Sequence, residues 1–418
     1  MTRGKSKVGI LSLGCPRNLV DSENILGRLS LKGCRIVDMD KADIGIVNTC
    51  AFIEEAKKES IDAILDLAEL KKEGKLKKII VYGCLPSRYG GQLQKELPEV
   101  DAFVGRISLN HIRHPFSLTP GHYAYLKICE GCINNCSYCV IPKIKVGLAS
   151  LDEDSILDRV KLLNKKRVSE LNIIGQDITG YGLDLRGDLR LTALLRKIIG
   201  KMPNIPWLRL LYLNPARVND ELLDLVKDEP KVCKYIDLPV QHINRRILKL
   251  MNRNPGKGKI LKLIDKIRKK IPDAAIRTSV IVGFPSETEK DFKELLGFIR
   301  DVEFERLGAF IYSREEGTRA FNFKSQVPEK VKRERFDAVM TLQQEISRDV
   351  NKKFLGKALE VLIDGTKGGV YTGRTQYDAP EVDGMVYVDS SRSLKPGDLV
   401  KVEIKDTLEY DLTGKALR

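Results

Sequence analysis

Apolar residues fall along this chain in short runs separated by stretches at helical spacing, and the pattern changes character twice. The first region holds three apolar runs, residues 8–15, 43–50 and 79–84, and each passes through a turn into a cysteine: Cys15, Cys50 and Cys84. Between them, residues 21–30 and 54–73 place apolar side chains at three- and four-residue intervals, as at Ile61, Ile64, Leu65 and Ala68, which predicts amphipathic helices. Strand alternating with helix predicts a parallel sheet. The C-terminal strand ends of such a sheet share one edge, where ligand crevices form, so three cysteines spaced 35 and 34 residues apart are expected at one rim.

Six further runs, at 123–128, 171–174, 208–213, 235–238, 276–282 and 307–312, are predicted as strands, with helices between them at 155–164, 189–199, 259–271 and 287–300. Six strand–helix units make an incomplete barrel. Barrel chemistry belongs to the loops after strands, and here those loops carry residues 132–139, Gly175-Gln176-Asp177, Asn214-Pro215, Pro239-Val240-Gln241-His242 and Gly283-Phe284-Pro285. A charged helix over 328–353 leads into short alternating strands at 358–363, 370–373, 385–388 and 399–404, which predict a small antiparallel barrel of OB-like size. The expected fold class is α/β: a parallel-sheet N-terminal domain over 5–117, a partial (β/α)6 barrel over 118–350, and a small antiparallel β-barrel over 351–418.

Composition agrees. The 418 residues exceed the roughly 250–300 that one core encloses, and 42% apolar with 31% charged residues excludes a disordered or collagen-like chain. No apolar run reaches the ~18 residues of a membrane span. The basic start, Met1 to Lys7, leads into no long apolar region with a small-residue cleavage site, so the expected location is the cytoplasm, with no membrane partner. Nine cysteines in a reducing compartment point to metal or redox work rather than disulfides. Lys and Arg number 72 against 57 Asp and Glu, a formal charge of +15, which favours nucleic acid or a ribonucleoprotein among partners. That excess is uneven, with 19 basic against 15 acidic residues over 1–120, 42 against 31 over 121–351, and 11 against 11 over 352–418.

The densest chemistry is Cys129-Glu130-Gly131-Cys132-Ile133-Asn134-Asn135-Cys136-Ser137-Tyr138-Cys139. Zinc knuckles separate their cysteine pairs by a dozen or more residues, whereas only three lie between Cys132 and Cys136, so a compact iron–sulfur cluster suits this loop better. Three thiolates on Cys132, Cys136 and Cys139 leave one iron open to a chelating ligand. With Cys129 as a fourth ligand the cluster would be closed and the protein an electron carrier or sensor. Cys34 and Cys233 lie outside both patterns.

With Tyr138 before its last cysteine, the loop resembles the signature of the radical S-adenosylmethionine superfamily. The resemblance implies a 4Fe-4S cluster whose fourth iron chelates the amino and carboxylate groups of S-adenosylmethionine, and one-electron cleavage to a 5′-deoxyadenosyl radical that removes hydrogen from an unactivated C–H bond. Adding Cys15, Cys50 and Cys84, the barrel and the small C-terminal barrel, nearly all 418 residues are similar to the methylthiotransferase family. In that family the N-terminal domain carries a second 4Fe-4S cluster, the centre is the radical SAM core, and the C-terminal part is a TRAM domain. The implied reaction replaces C–H with C–S–CH3. One S-adenosylmethionine gives the methyl group, another the radical, and the second cluster holds the sulfur.

Two branches of the family differ in substrate: one modifies an adenosine of transfer RNA, the other, the RimO branch, an aspartate of small-subunit ribosomal protein twelve. Gly14-Cys15-Pro16-Arg17-Asn18-Leu19-Val20-Asp21-Ser22-Glu23, and Gly373-Arg374-Thr375 followed by Asp378-Ala379-Pro380-Glu381-Val382-Asp383-Gly384, resemble the RimO branch. Charge points the same way: an RNA-gripping domain presents cations, but residues 372–384 hold one Arg against Asp378, Glu381 and Asp383, an acidic loop expected to attract a basic protein. An electron donor of flavodoxin or ferredoxin type is the other expected partner.

Tyr138, Gln176 with Asp177, Gln241 and Gly283 are the candidate contacts to S-adenosylmethionine; capping or turn roles are the alternative for Gln176, Asp177 and Gln241, and a turn for Gly283. Tyr312 with Glu315, Glu316, Gly317 and Thr318 matches a family stretch of unassigned role. The sequence departs from the family after Ile141-Pro142, where a basic-Gly and an Arg-Ser-Arg pattern become Lys145-Val146 and Ala149-Ser150-Leu151. No residue is assigned as a catalytic acid or base.

Overall fold

The computed structural model describes residues 6–105, 116–145 and 147–417; Val146 and the start of the chain up to Lys5 lie outside them. The first part is a parallel sheet of five strands, Lys7–Ser12, Arg35–Ile36, Ile44–Thr49, Lys78–Gly83 and Ala102–Val104, ordered in space second, first, third, fourth, fifth. The three cysteine-bearing strands are therefore immediate neighbours. The short second and fifth strands, two and three residues long, have no run from which to be predicted. Each cysteine stands at or shortly before a helix start: Pro16–Leu31 starts one residue after Cys15, with Pro16 pre-setting its first turn, Cys84 opens Cys84–Glu96, and Glu54–Lys72 starts four residues after Cys50.

The middle part matches the predicted strands to within three residues. Tyr123–Lys127, Glu170–Ile174 and Trp207–Leu210 form one parallel sheet, and Tyr235–Asp237, Ala275–Val282 and Arg306–Ile311 another. Backbone bonds from Leu208 N to Lys231 O and from Leu213 N to Asp237 O join the two sheets, giving six strands in chain order. Alternation along a strand sorts the side chains. Ala124 and Leu126 pack with Ile156, Val160 and the other helix residues in the largest core, whereas Tyr123 and Tyr125 join Trp207 and Tyr235 within the barrel.

The last part is a closed barrel of Ala358–Lys367, Val370–Thr375, Val386–Asp389, Leu412–Ala416 and Leu399–Thr407, in that spatial order. Four of its five pairings are antiparallel, as expected; the fifth, Val386–Asp389 with Leu412–Ala416, is parallel and uses a strand the pattern does not predict. A glycine interrupts that strand because the chains crowd there: a Cβ on Gly414 would lie 2.6 Å from the Glu403 carbonyl oxygen.

The acidic loop is corrected. Asp378 and Arg374 are buried, and the loop's charges belong to the join between the two barrels. Arg374 meets Glu170 at 2.6 Å and Asp364 at 2.8 Å, Arg306 meets Asp378 at 2.8 Å, and the hydroxyls of Tyr123 and Tyr235 each donate at 2.6 Å to Glu381 and Asp383. The argument that this loop draws in a basic partner therefore falls away. No helix among the described residues is long and apolar enough to cross a membrane.

Candidate iron–sulfur and S-adenosylmethionine site

Two loop clusters make the site, one on the sheet edge of the first part and one at the barrel mouth. On the sheet edge the cysteine loops are tied by buried amides and hydroxyls. Asn48 Nδ2 donates to Asn18 O at 2.7 Å and Ser22 Oγ at 2.9 Å, and Asn18 Nδ2 donates to Leu13 O at 3.0 Å. Thr49 Oγ1 donates to Tyr82 O at 2.7 Å, and Ser60 Oγ donates to Cys50 O at 2.9 Å. Glycines precede Cys15 and Cys84 because nothing larger fits. A Cβ on Gly14, at φ +84°, would stand 2.7 Å from Cys50 Cβ, and one on Gly83, at φ +107°, would stand 2.6 Å from Asn48 Oδ1.

The donor set here is thiol, open to an iron–sulfur cluster but not shaped for a lone ion. Among the described residues no three or more His, Cys, Asp or Glu side chains converge as a single-ion site. Cluster ligands bind different irons and stand farther apart. All nine cysteines are free thiols. Burial pulls Cys15 towards the neutral form, but the charges of Arg17 and Lys145 and a hydrogen bond from Arg17 outweigh it and bring the thiol down to about 7. Burial lifts Cys50 to about 11, with Cys84 and Cys15 adding to the effect as like charges. The Cys50 thiol thus feels the charges of both other cysteines.

At the barrel mouth, burial foremost lifts Cys139 to about 12, with the charges of Cys136 and Cys132 adding to it. Their sulfurs have donors that the sequence reasoning did not find. Asn134 Nδ2 lies 3.2 Å from Cys132 Sγ and 2.6 Å from Asp177 Oδ2, while Arg217 Nη2 donates to Asn134 Oδ1 at 2.8 Å and pairs with Asp177. Arg253 Nη1 lies 3.8 Å from Cys136 Sγ. Donors of this kind tune a cluster's potential. Only its position in a loop after a strand could have pointed to Arg217, and Arg253, in the turn after the helix Arg245–Leu250, has no such signal.

Cys129 behaves differently. It is fully buried in the largest core, its thiol donates towards Asp177 O at 3.8 Å, and it packs so closely on Gly175 that a Cβ there would lie 2.6 Å from the sulfur. Burial, then the charges of Asp177 and Glu130, hold this thiol well up in its neutral form. It is a packing residue, as Cys233 is in the barrel interior.

The other candidates are scattered around the mouth. Tyr138 packs against Ile247, Met251, Phe284 and Tyr312. Gln176 Nε2 donates to Glu130 Oε1 at 3.2 Å, and its buried Oε1 has no partner, an acceptor left for a ligand. Glu130 is itself held by Lys127 at 2.9 Å and Lys145 at 2.6 Å, so Lys145 fills a structural role beside the cluster loop. Gln241 adopts φ +72° and bonds through its backbone to Ser279 O and Ile281 N. Gly283, at φ +70°, faces Lys332, whose Cγ would lie 2.3 Å from a Cβ there, so close helix approach accounts for that glycine. His242 is fully buried, 3.5 Å from Glu287.

Arg17 joins the two clusters of loops. Its Nε lies 3.3 Å from Cys15 Sγ, its Nη1 donates to the Gly175 carbonyl at 2.9 Å, and its guanidinium covers the Tyr212 ring at 4.5 Å.

Comparison with known proteins agrees with this geometry. Family models match in three successive stretches: uncharacterized protein family UPF0004 over residues 7–105, the radical SAM superfamily over 126–299, and the TRAM domain over 355–417. A ribosomal protein uS12 methylthiotransferase RimO of Clostridioides difficile is 46% identical, covering 98% of this chain and 99% of its own. Those of Caldanaerobacter subterraneus and Geobacter sulfurreducens are 47% and 44% identical over 98% and 100% of this chain, and 99% and 100% of their own. Among solved structures, the radical S-adenosylmethionine methyltransferase TsrM of Kitasatospora setae matches with a TM-score of 0.54 at 12% identity, covering 87% of this chain and 79% of TsrM, a likeness of fold alone. The chain belongs to the RimO family of radical S-adenosylmethionine methylthiotransferases.

Proposed function

We propose that this protein methylthiolates the β-carbon of an aspartate in ribosomal protein uS12, with one cluster on Cys132, Cys136 and Cys139 and a second on Cys15, Cys50 and Cys84. The observation that carries the two-cluster reading is the pair of three-thiol loop sets bridged by Arg17. The choice of uS12 rests on the names of relatives at 44–47% identity. When bound, the clusters and S-adenosylmethionine would supply hydrogen-atom abstraction, sulfur and a methyl group.

The chain's own part is binding, orientation and exclusion of water. Asn134 and Arg253 donate to the sulfurs of the barrel loop, and Arg17 to Cys15. Phe284, Tyr312, Ile247 and Met251 pack behind Tyr138 and keep that side of the loop dry. Tyr138, Gln176, Gln241 and Gly283 are proposed to line the S-adenosylmethionine site, Gln176 through its unpartnered Oε1. The functional division is taken as 5–117, 118–350 and 351–418. A cytoplasmic location and a flavodoxin- or ferredoxin-type electron donor complete the reading.

Anaerobically reconstituted protein, incubated with S-adenosylmethionine, reductant and either uS12 or transfer RNA, tests it by mass spectrometry. A methylthio group on a uS12 aspartate is expected; one on transfer RNA instead would move the chain to the other branch.

A further inference from the structure

Glu315 follows the last barrel strand, Arg306–Ile311, in the loop at the mouth, and its side chain is 3% exposed. Two cations of the N-terminal part converge on it. Arg88 Nη1 lies 2.8 Å and Lys57 Nζ 3.1 Å from Glu315 Oε2, while Ser313 Oγ donates to Oε1 at 2.6 Å. Arg88 stands four residues beyond Cys84 on the helix that Cys84 opens, and Lys57 seven beyond Cys50 on the preceding helix, Glu54–Lys72. The same guanidinium donates to Ala51 O, beside Cys50, at 2.8 Å and to Glu316 O at 2.9 Å. One carboxylate of the barrel thus holds both helices that leave the Cys50 and Cys84 loops.

A buried set of charges adds little stability over an apolar contact of the same size, because desolvation offsets attraction. What it fixes is direction, since a guanidinium that meets a carboxylate and two carbonyls at once has one orientation. Transfer of an atom between two centres depends on such placement, and an error near 1 Å can cost about a hundredfold in rate.

We propose that Glu315, through Arg88 and Lys57, is a positioning residue that sets the Cys15–Cys50–Cys84 loops at a fixed separation from the Cys132–Cys136–Cys139 loop. The proposal rests on the two-cluster reading above. It gives the Glu315-Glu316 stretch a role: without the clasp, radical generation at the barrel continues but is uncoupled from sulfur transfer.

The test compares wild type with Glu315→Gln and Arg88→Lys, all anaerobically reconstituted. Three quantities are read: iron content, the ratio of 5′-deoxyadenosine to methylthiolated uS12, and the magnetic broadening between reduced clusters by electron paramagnetic resonance. Expected are unchanged iron, deoxyadenosine formation within about twofold of wild type, at least a tenfold rise in the ratio, and weaker or heterogeneous broadening. A merely stabilising ion pair would lower melting temperature without moving ratio or broadening, and that result overturns the proposal. Should Glu315→Gln not fold, the same comparison on Arg88→Lys decides. Wild type with about four irons would sink the two-cluster reading and the clasp with it; about eight irons with both variants behaving as wild type would overturn the clasp alone.

Discussion

Arg17 spans the junction between the sheet edge and the barrel, its Nη1 2.9 Å from the carbonyl oxygen of Gly175 while its Nε rests 3.3 Å from the Cys15 sulfur. A cation in that place should govern the cysteine beside it. With the Cys15 thiol at about 7, half is ionised near neutrality and about a tenth one pH unit lower. In metal-free protein, iodoacetamide should therefore alkylate Cys15 about half-maximally near pH 7, as mass spectrometry can follow. In Arg17→Met burial prevails, and the rate at pH 7 should fall about tenfold or more. Equal rates in both proteins would refute this account of Cys15.

Gly14 separates the Cys15 turn from Cys50 by less than a methyl group allows. Gly14→Ala should cost about 1–3 kcal/mol in denaturant unfolding of the metal-free protein, from the left-handed backbone and the clash together. It should also lower iron at the first-domain loops while sparing the barrel loop. An alanine variant as stable and iron-rich as wild type would show that the three loops do not need this close approach.

Cys129 distinguishes an enzyme from an electron carrier. Its thiol lies in the barrel–helix core against Gly175, so Cys129→Ala should keep the full iron content and the cleavage of S-adenosylmethionine, at a cost of about 1–2 kcal/mol for the small cavity. Loss of iron together with loss of 5′-deoxyadenosine formation would mean that Cys129 closes the cluster.

The join between the two barrels sets the acid limit of the fold. Burial alone would raise Glu170, but Arg374 and Arg209 outweigh it and hold the carboxyl below the usual range; Asp364 is held low in the same way by His122 and Arg374. Carboxyls depressed in the folded state contribute stability that is complete above their unfolded values near 4 and lost as pH falls through the folded ones. Unfolding free energy should thus be flat near neutrality and decline below about pH 4. Arg374→Ala should cost about 3–5 kcal/mol at pH 7, because it removes one of the two arginines that hold Glu170 and a partner of Asp364, and should flatten the acid decline. An unchanged pH profile in the variant would contradict this assignment.

The fold was legible wherever one strand face is apolar and a helix follows, which covers the three cysteine strands and all six barrel strands. Arg35–Ile36, Ala102–Val104 and Leu412–Ala416 were not, because they are short or broken by glycine, and their neighbours in the sheet decide their pairing. The two cysteine sets were legible from spacing. What charge counts could not foresee is who pairs with whom: the acids at 378–383 face the interior arginine and tyrosines of the barrel strands, residues that a strand pattern alone leaves without partners. Asn134 and Arg253, which donate to sulfur, and Arg217, which holds Asn134, were missed for a like reason, since such contacts have no sequence period of their own.

Iron analysis of anaerobically prepared protein, alone and with Cys15, Cys50 and Cys84 all changed to alanine, bears most directly on the two-centre account. About eight irons per chain are expected for the native sequence, and about four for the triple variant, which should still yield 5′-deoxyadenosine but no methylthiolated uS12. Equal iron in the two proteins, or a triple variant that still modifies uS12, would contradict it.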